Sequence, residues 1–410
     1  MSNLSFVERA NSPQIMRERV YLDHAATTRC DPRVQEFMAL IAKNHYGNPS
    51  SSHRRGTEAE VLVNTAREQL AAGINCLPEE IIFTSGTTES NNLVIQGICR
   101  RAVETDNPKR KILALSIEHA SVLEPCRYLA TQGFEFDTIP VNTDGIVDMN
   151  SLIDMIDDNT LLVCVQLANN EFGTIQPVKL VADIAHEFGA WMHCDAAQAL
   201  GKISIDCEKL GVDYLVGGAH KINGPKGTGC VWFNGRIAHN ALTPLIFGGG
   251  QERGLRSGTL NVPAIAGFGM SLAVRLESLD ESANRVAEIR DRFEFDLRRI
   301  CSTISINGGH SDRLPDISSV TNLNVDSEEI VGRLDEFDVS LGSACNSIKT
   351  EGSHVLRAIG LSDSALQRTL RFSFGWEMKH GDADLLIHRL REIFRTEIFG
   401  VNQKDFTNIE

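Results

Sequence analysis

Apolar residues recur at 59, 62, 63, 66, 70 and 74 (Ala, Leu, Val, Ala, Leu, Ile), a spacing that keeps them on one face of a helix. A turn at Pro78 and the run Ile81-Ile82-Phe83-Thr84 come next, so this stretch reads as helix, loop and strand. Further short strands are predicted at 111–117, 161–167, 190–194, 213–216 and 229–233, with helical spacers between most of them. Such alternation predicts an α/β fold whose largely parallel sheet is covered by helices on both faces. From about 281 the texture changes. Val286, Ile289, Phe293, Leu297 and Ile300 share one face of a charged amphipathic helix. Short β-like pieces at 303–306, 317–324 and 369–374 and a helical pattern at 382–396 then suggest a smaller α+β unit. The expected organisation is a large domain over 21–280 and a small domain built from 1–20 and 281–410. No fixed-period repeat or low-complexity tract is visible, which removes solenoid and linker readings.

Polar clusters follow the predicted strands: Thr-Ser-Gly-Thr-Thr-Glu after Phe83, Glu118-His119, Asn169-Asn170-Glu171, Asp195-Ala-Ala-Gln198 and His220-Lys221. In open α/β sheets ligands gather at the carboxyl ends of the strands, so these clusters mark the expected site.

Composition narrows the function classes. The 410 residues carry 40 Lys+Arg against 54 Asp+Glu, a formal charge of −14, the wrong sign for a chain that coats nucleic acid or anionic membrane. The longest strongly apolar run, 161–168, is far short of a bilayer span, and the N-terminal residues lack a signal-peptide pattern, so a cytoplasmic address is expected. Ten cysteines are scattered with no C-x-x-C pair. Several, such as Cys164 and Cys230, sit in apolar runs and read as small core residues. Cys345 differs, lying among small polar neighbours in Ser340-Leu-Gly-Ser-Ala-Cys-Asn-Ser347: it is either an incidental surface cysteine or an accessible, reactive thiolate, for which exposure and small neighbours are the required setting.

Each remaining cluster has a chemical and a plainer reading. Lys221, after a strand and ahead of a Gly-Pro turn, is either a solvated loop lysine or an amine desolvated enough to form a Schiff base. Asp195 closes an apolar run, as a helix cap or as the partner of a cationic ring nitrogen, with Gln198 in reach of the same ligand. Ser85-Gly86-Thr87-Thr88 opens a helix, as a cap or as a phosphate seat at its positive end. The Gly-rich run 247–259 contributes anion ligands or is a surface loop.

Together these residues resemble the cysteine desulfurases of the longer-loop class I group, within the aminotransferase class V family of fold-type I pyridoxal-phosphate enzymes. The likeness runs from Tyr21-Leu-Asp-His-Ala-Ala-Thr-Thr through Gly47-Asn-Pro-Ser, Phe83-Thr-Ser-Gly-Thr-Thr-Glu-Ser, Glu118-His, Asn169-Asn-Glu-Phe-Gly, Asp195-Ala-Ala-Gln, His220-Lys-Ile-Asn-Gly-Pro-Lys-Gly, Arg256-Ser-Gly-Thr and Gly342-Ser-Ala-Cys to Leu370-Arg-Phe-Ser. That covers roughly residues 21 to 375 in family order.

The resemblance implies a PLP-dependent transferase fold and conversion of L-cysteine to L-alanine. Lys221 is expected to hold pyridoxal 5'-phosphate and move the α-proton, Asp195 to face the ring nitrogen, Gln198 the phenolic oxygen, and His119 to stack on the ring and serve in proton transfer. Thr88, His220, the Thr87 main chain and Thr259 of a second protomer are expected at the phosphate. Asn170 and Arg371 are expected at the substrate carboxylate, which suits Arg's two-pronged donors. Cys345, on a loop at about 340–353, is expected to take the sulfur as a persulfide and pass it to an acceptor protein for iron–sulfur assembly, tRNA thiolation or DNA phosphorothioation. A homodimer, no metal, no membrane and no direct nucleic-acid contact are expected. Two departures stand out: Gly218 replaces a usual serine whose hydroxyl meets the phosphate, leaving main chain or water to replace it, and Gly352 replaces a usual proline. The alternatives are a selenocysteine lyase, a class V aminotransferase, or a low-turnover docking subunit.

Overall fold

The computed structural model describes residues 19–235, 241–322, 325–341 and 352–399. Seven strands form its central sheet: β2 (Ile81–Thr84), β3 (Lys111–Leu115), β4 (Glu135–Ile139), β5 (Thr160–Cys164), β6 (Trp191–Asp195), β7 (Tyr214–Gly218) and β8 (Gly229–Phe233). Their order is β2-β8-β7-β6-β5-β3-β4, and only β8 runs against the others. Every residue of β2, β5, β7 and β8 is buried, as expected of strands covered on both faces, which therefore read as apolar runs rather than alternating ones.

Helices supply the two layers. Arg54–Ile74 buries Ala59, Val63, Ala66, Leu70 and Ile74 and ends at Asn75 in the left-handed conformation. It packs closely on the helix Val262–Leu276: a Cβ on Gly73 would come within 2.5 Å of Leu272 Cδ2, so any larger residue there would push the Leu272 side chain aside. On the opposite face the helices Thr87–Glu104 and Ala120–Ala130 cover Ile82, Ile112, Ala114, Leu162 and Val231.

A third core lies around the helix Leu279–Ile300, the helix His380–Phe399 and an antiparallel sheet of β9 (Ile304–Ile306), β10 (Ile317–Asn322) and β12 (Thr369–Ser373). The amphipathic stripe predicted from residue 281 onward is present, with Val286, Ile289, Phe293 and Leu297 buried. A two-stranded parallel pair, β1 (Val20–Tyr21) and β11 (Phe337–Asp338), ties the N-terminal part to this region. No single helix among the described residues is long and apolar enough to cross a membrane.

Candidate active site

The parallel strands end at one edge of the sheet, and β8, running the other way, begins there. Their connections converge on a cavity of about 500 Å³ lined by Thr87, Thr88, His119, Asn170, Asp195, Gln198, His220, Lys221 and Arg371. Nine residues expected at the site thus come together from six stretches of chain. Thr259 does not line this cavity and is exposed, in a position assigned above to the site of a second protomer. Cys345 lies outside the described residues.

Asp195 ends β6 and is 7% exposed. Its Oδ1 accepts from the Ala197 amide (2.8 Å) and its Oδ2 from Asn91 Nδ2 (2.8 Å). Asn91 Nδ2 also donates to Ser121 Oγ at 2.9 Å. With its oxygen accepting from Asn91, the Ser121 hydroxyl donates to His119 Nδ1, 2.8 Å away. His119 caps the helix Ala120–Ala130, its Nδ1 also taking the Ser121 amide at 3.1 Å. The proton of the neutral ring is thereby placed on Nε2. Burial lowers the His119 pKa; Asp195 opposes this, while Lys221 and His354 add to it. Asn91 and Ser121, absent from the expected set, join the acid to the imidazole across distant parts of the chain.

Lys221 Nζ donates to the Ala25 carbonyl, which also accepts from Gln198 Nε2 at 2.8 Å. His220 Nδ1 meets Thr27 Oγ1 at 3.1 Å, and burial with the neighbouring Lys221 and Lys226 pushes its pKa down to about 4. Beneath the site, Glu118 is fully buried and raised well above the carboxylate range by burial and by Asp195.

Arg371, 2% exposed on β12, is fully positioned: Nη1 donates to the Asn170 carbonyl (3.0 Å) and Nη2 to Asp23 (2.6 Å), while Nε has no partner among the described residues. Buried donors do not stay unpaired without cost, and Arg371 is a cavity-lining residue, so this N–H is the donor of the guanidinium that the described residues leave unsatisfied. The described residues flanking Cys345 also lie here. Arg371 N donates to the Ser340 carbonyl at 3.2 Å, Ser353 Oγ donates to Glu171 Oε2 at 2.7 Å, and His354 Nε2 donates to the Glu118 carbonyl at 2.9 Å.

At the start of the helix Thr87–Glu104, Gly218 of β7 lies against Thr87. A Cβ on Gly218 would fall 2.6 Å from Thr87 Oγ1, so the Thr87 hydroxyl occupies the space a serine would need. Thr87 Oγ1 and Thr228 Oγ1 are buried without partners among the described residues, and both residues line the cavity. Two orphan hydroxyls beside the free amides of a helix N-terminus suit a phosphate. The glycine-rich run braces this seat: Arg256 clasps Glu89 in the helix's first turn (2.7 and 3.2 Å), and buried Glu252 accepts from Arg67 and the Phe83 amide. The side chains present therefore fit an anionic pyridine cofactor, with a carboxylate and imidazole for the ring, an amine at its edge and hydroxyls at a helix end for its phosphate.

The aminotransferase class-V family model matches residues 20–386. The chain belongs to the aminotransferase class-V family. Among curated members of this family, the cysteine desulfurase IscS of Ehrlichia chaffeensis is 40% identical over 356 residues, covering 87% of this chain and 86% of that protein. A solved NifS-like protein superimposes with a TM-score of 0.84 at 36% identity, covering 92% of this chain and 99% of that one. SspA, solved in complex with cysteine, gives 0.77 at 34% identity, with 87% and 98% covered.

Proposed function

We propose that the chain is a pyridoxal-phosphate-dependent cysteine desulfurase that converts L-cysteine to L-alanine and passes the sulfur, as a Cys345 persulfide, to an acceptor protein. The observation carrying this reading is the convergence of Lys221, Asp195, His119 and Arg371 on one cavity. The likeness to desulfurases over most of the chain supports it. In this reading Lys221 holds the cofactor, Asp195 faces the ring nitrogen, Gln198 the phenolic oxygen and His119 the ring. Thr87, Thr88, Thr228, His220 and the Thr259 of a second protomer hold the phosphate. When bound, pyridoxal phosphate supplies an electron sink for the pair released at the substrate α-carbon.

The protein's own groups do the rest. Arg371, with its uncommitted Nε–H, and Asn170 bind the carboxylate and set the orientation of the amino acid. The Lys221 amine moves the α-proton. His119, kept neutral by burial, exchanges a proton at Nε2. The Cys345 thiolate takes the substrate sulfur: the S–S bond forms, the Cβ–S bond breaks, its electrons stay with carbon, and protonation gives the methyl of alanine. Ser340 and Ser353, on either side of Cys345 in sequence, touch Arg371 and Glu171, which favours delivery of the thiol to this cavity. We place the division between the large and small domains near residue 280 and expect a homodimer. Purified protein should take up pyridoxal phosphate with a new visible absorbance and release alanine from L-cysteine. Absence of both, or full turnover in Lys221→Ala, overturns the reading.

A further inference from the structure

Lys202 is a lysine with 1% of its surface exposed, outside the cavity and outside every motif tied to the reaction above. Its ammonium donates to Asp316 Oδ2 at 2.6 Å and to Gln198 Oε1 at 3.1 Å. The other end of the same amide, Gln198 Nε2, donates to the carbonyl of Ala25, a cavity residue that is also the acceptor for Lys221. A glutamine amide is nearly symmetric in shape and can present either a carbonyl or an NH₂ to a ligand. An ammonium has three donors and no acceptor, so Lys202 accepts only the orientation in which the amide oxygen points to it. The nitrogen end, with one N–H used by Ala25, is then the end left for the cavity.

We propose that Lys202, locked by Asp316, is a positioning residue that holds Gln198 as a hydrogen-bond donor toward the cofactor's phenolic oxygen. This rests on the desulfurase reading above. The Lys202–Asp316 pair is fully buried, and isosteric apolar pairs are often as stable as buried ion pairs, so stability alone does not call for two charges here. A donor at the phenolic oxygen draws off negative charge that would otherwise hold the proton on the neighbouring Lys221 nitrogen. The device therefore lowers the pH midpoint at which the bound cofactor's absorbance changes. The charged groups around it are Asp316 and, beyond it, Arg275 on one side, His24 next to the pair, and Lys221 across the shared carbonyl.

The experiment is a pH titration of the visible absorbance of the full-length protein loaded with pyridoxal phosphate, without substrate, alongside thermal melting. Lys202→Met strands the Asp316 carboxylate and is expected to melt well below wild type. The Lys202→Met/Asp316→Leu pair removes both charges together and is expected to regain most of the melting temperature. Its absorbance midpoint should nevertheless sit about one pH unit above wild type, the worth of roughly one hydrogen bond. Lys202→Arg, which keeps a donor for Gln198 Oε1, should return the midpoint to the wild-type value. A double variant that titrates like wild type, or one that fails to fold, assigns the pair a purely structural role and overturns the proposal. A wild-type protein that takes up no pyridoxal phosphate overturns the desulfurase reading instead, a distinct outcome.

Discussion

Replacing Gly218 with serine sets two side chains against each other, because the new Cβ would lie 2.6 Å from Thr87 Oγ1. No real Cβ tolerates that approach, so the Thr87 hydroxyl must rotate out of its place or β7 must shift. Overpacking of this kind costs about 1–3 kcal/mol. Thr87→Ala works in the other direction. It removes a buried hydroxyl that has no partner among the described residues, so the cofactor-free protein should lose almost nothing. The loaded protein loses a hydrogen bond to a charged group, about 1.5–3 kcal/mol, or roughly 10- to 150-fold in cofactor affinity. The double variant Thr87→Ala/Gly218→Ser clears the clash and supplies a hydroxyl from the other side, so both defects should shrink. A double-mutant cycle on cofactor dissociation constants, read by absorbance of the cofactor-free protein titrated with pyridoxal phosphate, gives the coupling. Additive effects of the two substitutions, or unchanged affinity in Thr87→Ala, would refute the idea that Thr87 fills the serine's role.

Other expectations follow from the same geometry. Asn91→Ala cuts the link from Asp195 through Ser121 to His119, and should lower kcat about 10- to 100-fold, the worth of a hydrogen bond to a charged group, while cofactor occupancy measured by absorbance persists. His193 is wholly buried, with neither ring nitrogen partnered among the described residues and its pKa pushed down to about 4 by burial, partly opposed by Asp195. The unfolded chain takes up a proton near 6.5 and the folded one only near 4, so stability is lost as pH falls through that window. Urea midpoints of His193→Leu at pH 7 and pH 4.5 should therefore differ less than those of wild type. Glu252→Ala leaves Arg67 and the Phe83 amide without their buried acceptor, and should cost about 3–5 kcal/mol in urea unfolding.

The central sheet was legible because strands buried on both faces must be apolar throughout, as Leu161-Leu-Val-Cys and the antiparallel Gly229-Cys-Val-Trp-Phe are. The site was legible for a related reason: Glu118-His119, Asp195 and His220-Lys221 interrupt or close those runs where ligands collect, and their order matches a known family. Strand β4 escaped notice because it is an edge strand in which Glu135, Asp137 and Thr138 are exposed, breaking any apolar run. The pair β1–β11 is two residues long, too short for a period. Asn91 and Ser121 were missed because their meaning lies in a contact 30 residues apart in sequence. Lys202 reads as an ordinary surface lysine until the fold buries it against Asp316, 114 positions away. The exchange between Gly218 and Thr87 needed coordinates too, since only the close approach of β7 to the helix Thr87–Glu104 makes one side chain exclude the other.

The sulfur-carrying role of Cys345 is read from the mass of the Cys345-containing peptide after the loaded protein meets L-cysteine without an acceptor. This peptide alone should gain one sulfur atom, with one alanine formed per persulfide, and the Lys221→Ala protein should gain none. Extra sulfur on another cysteine, or wild-type formation of alanine with sulfide release in Cys345→Ser, would contradict it.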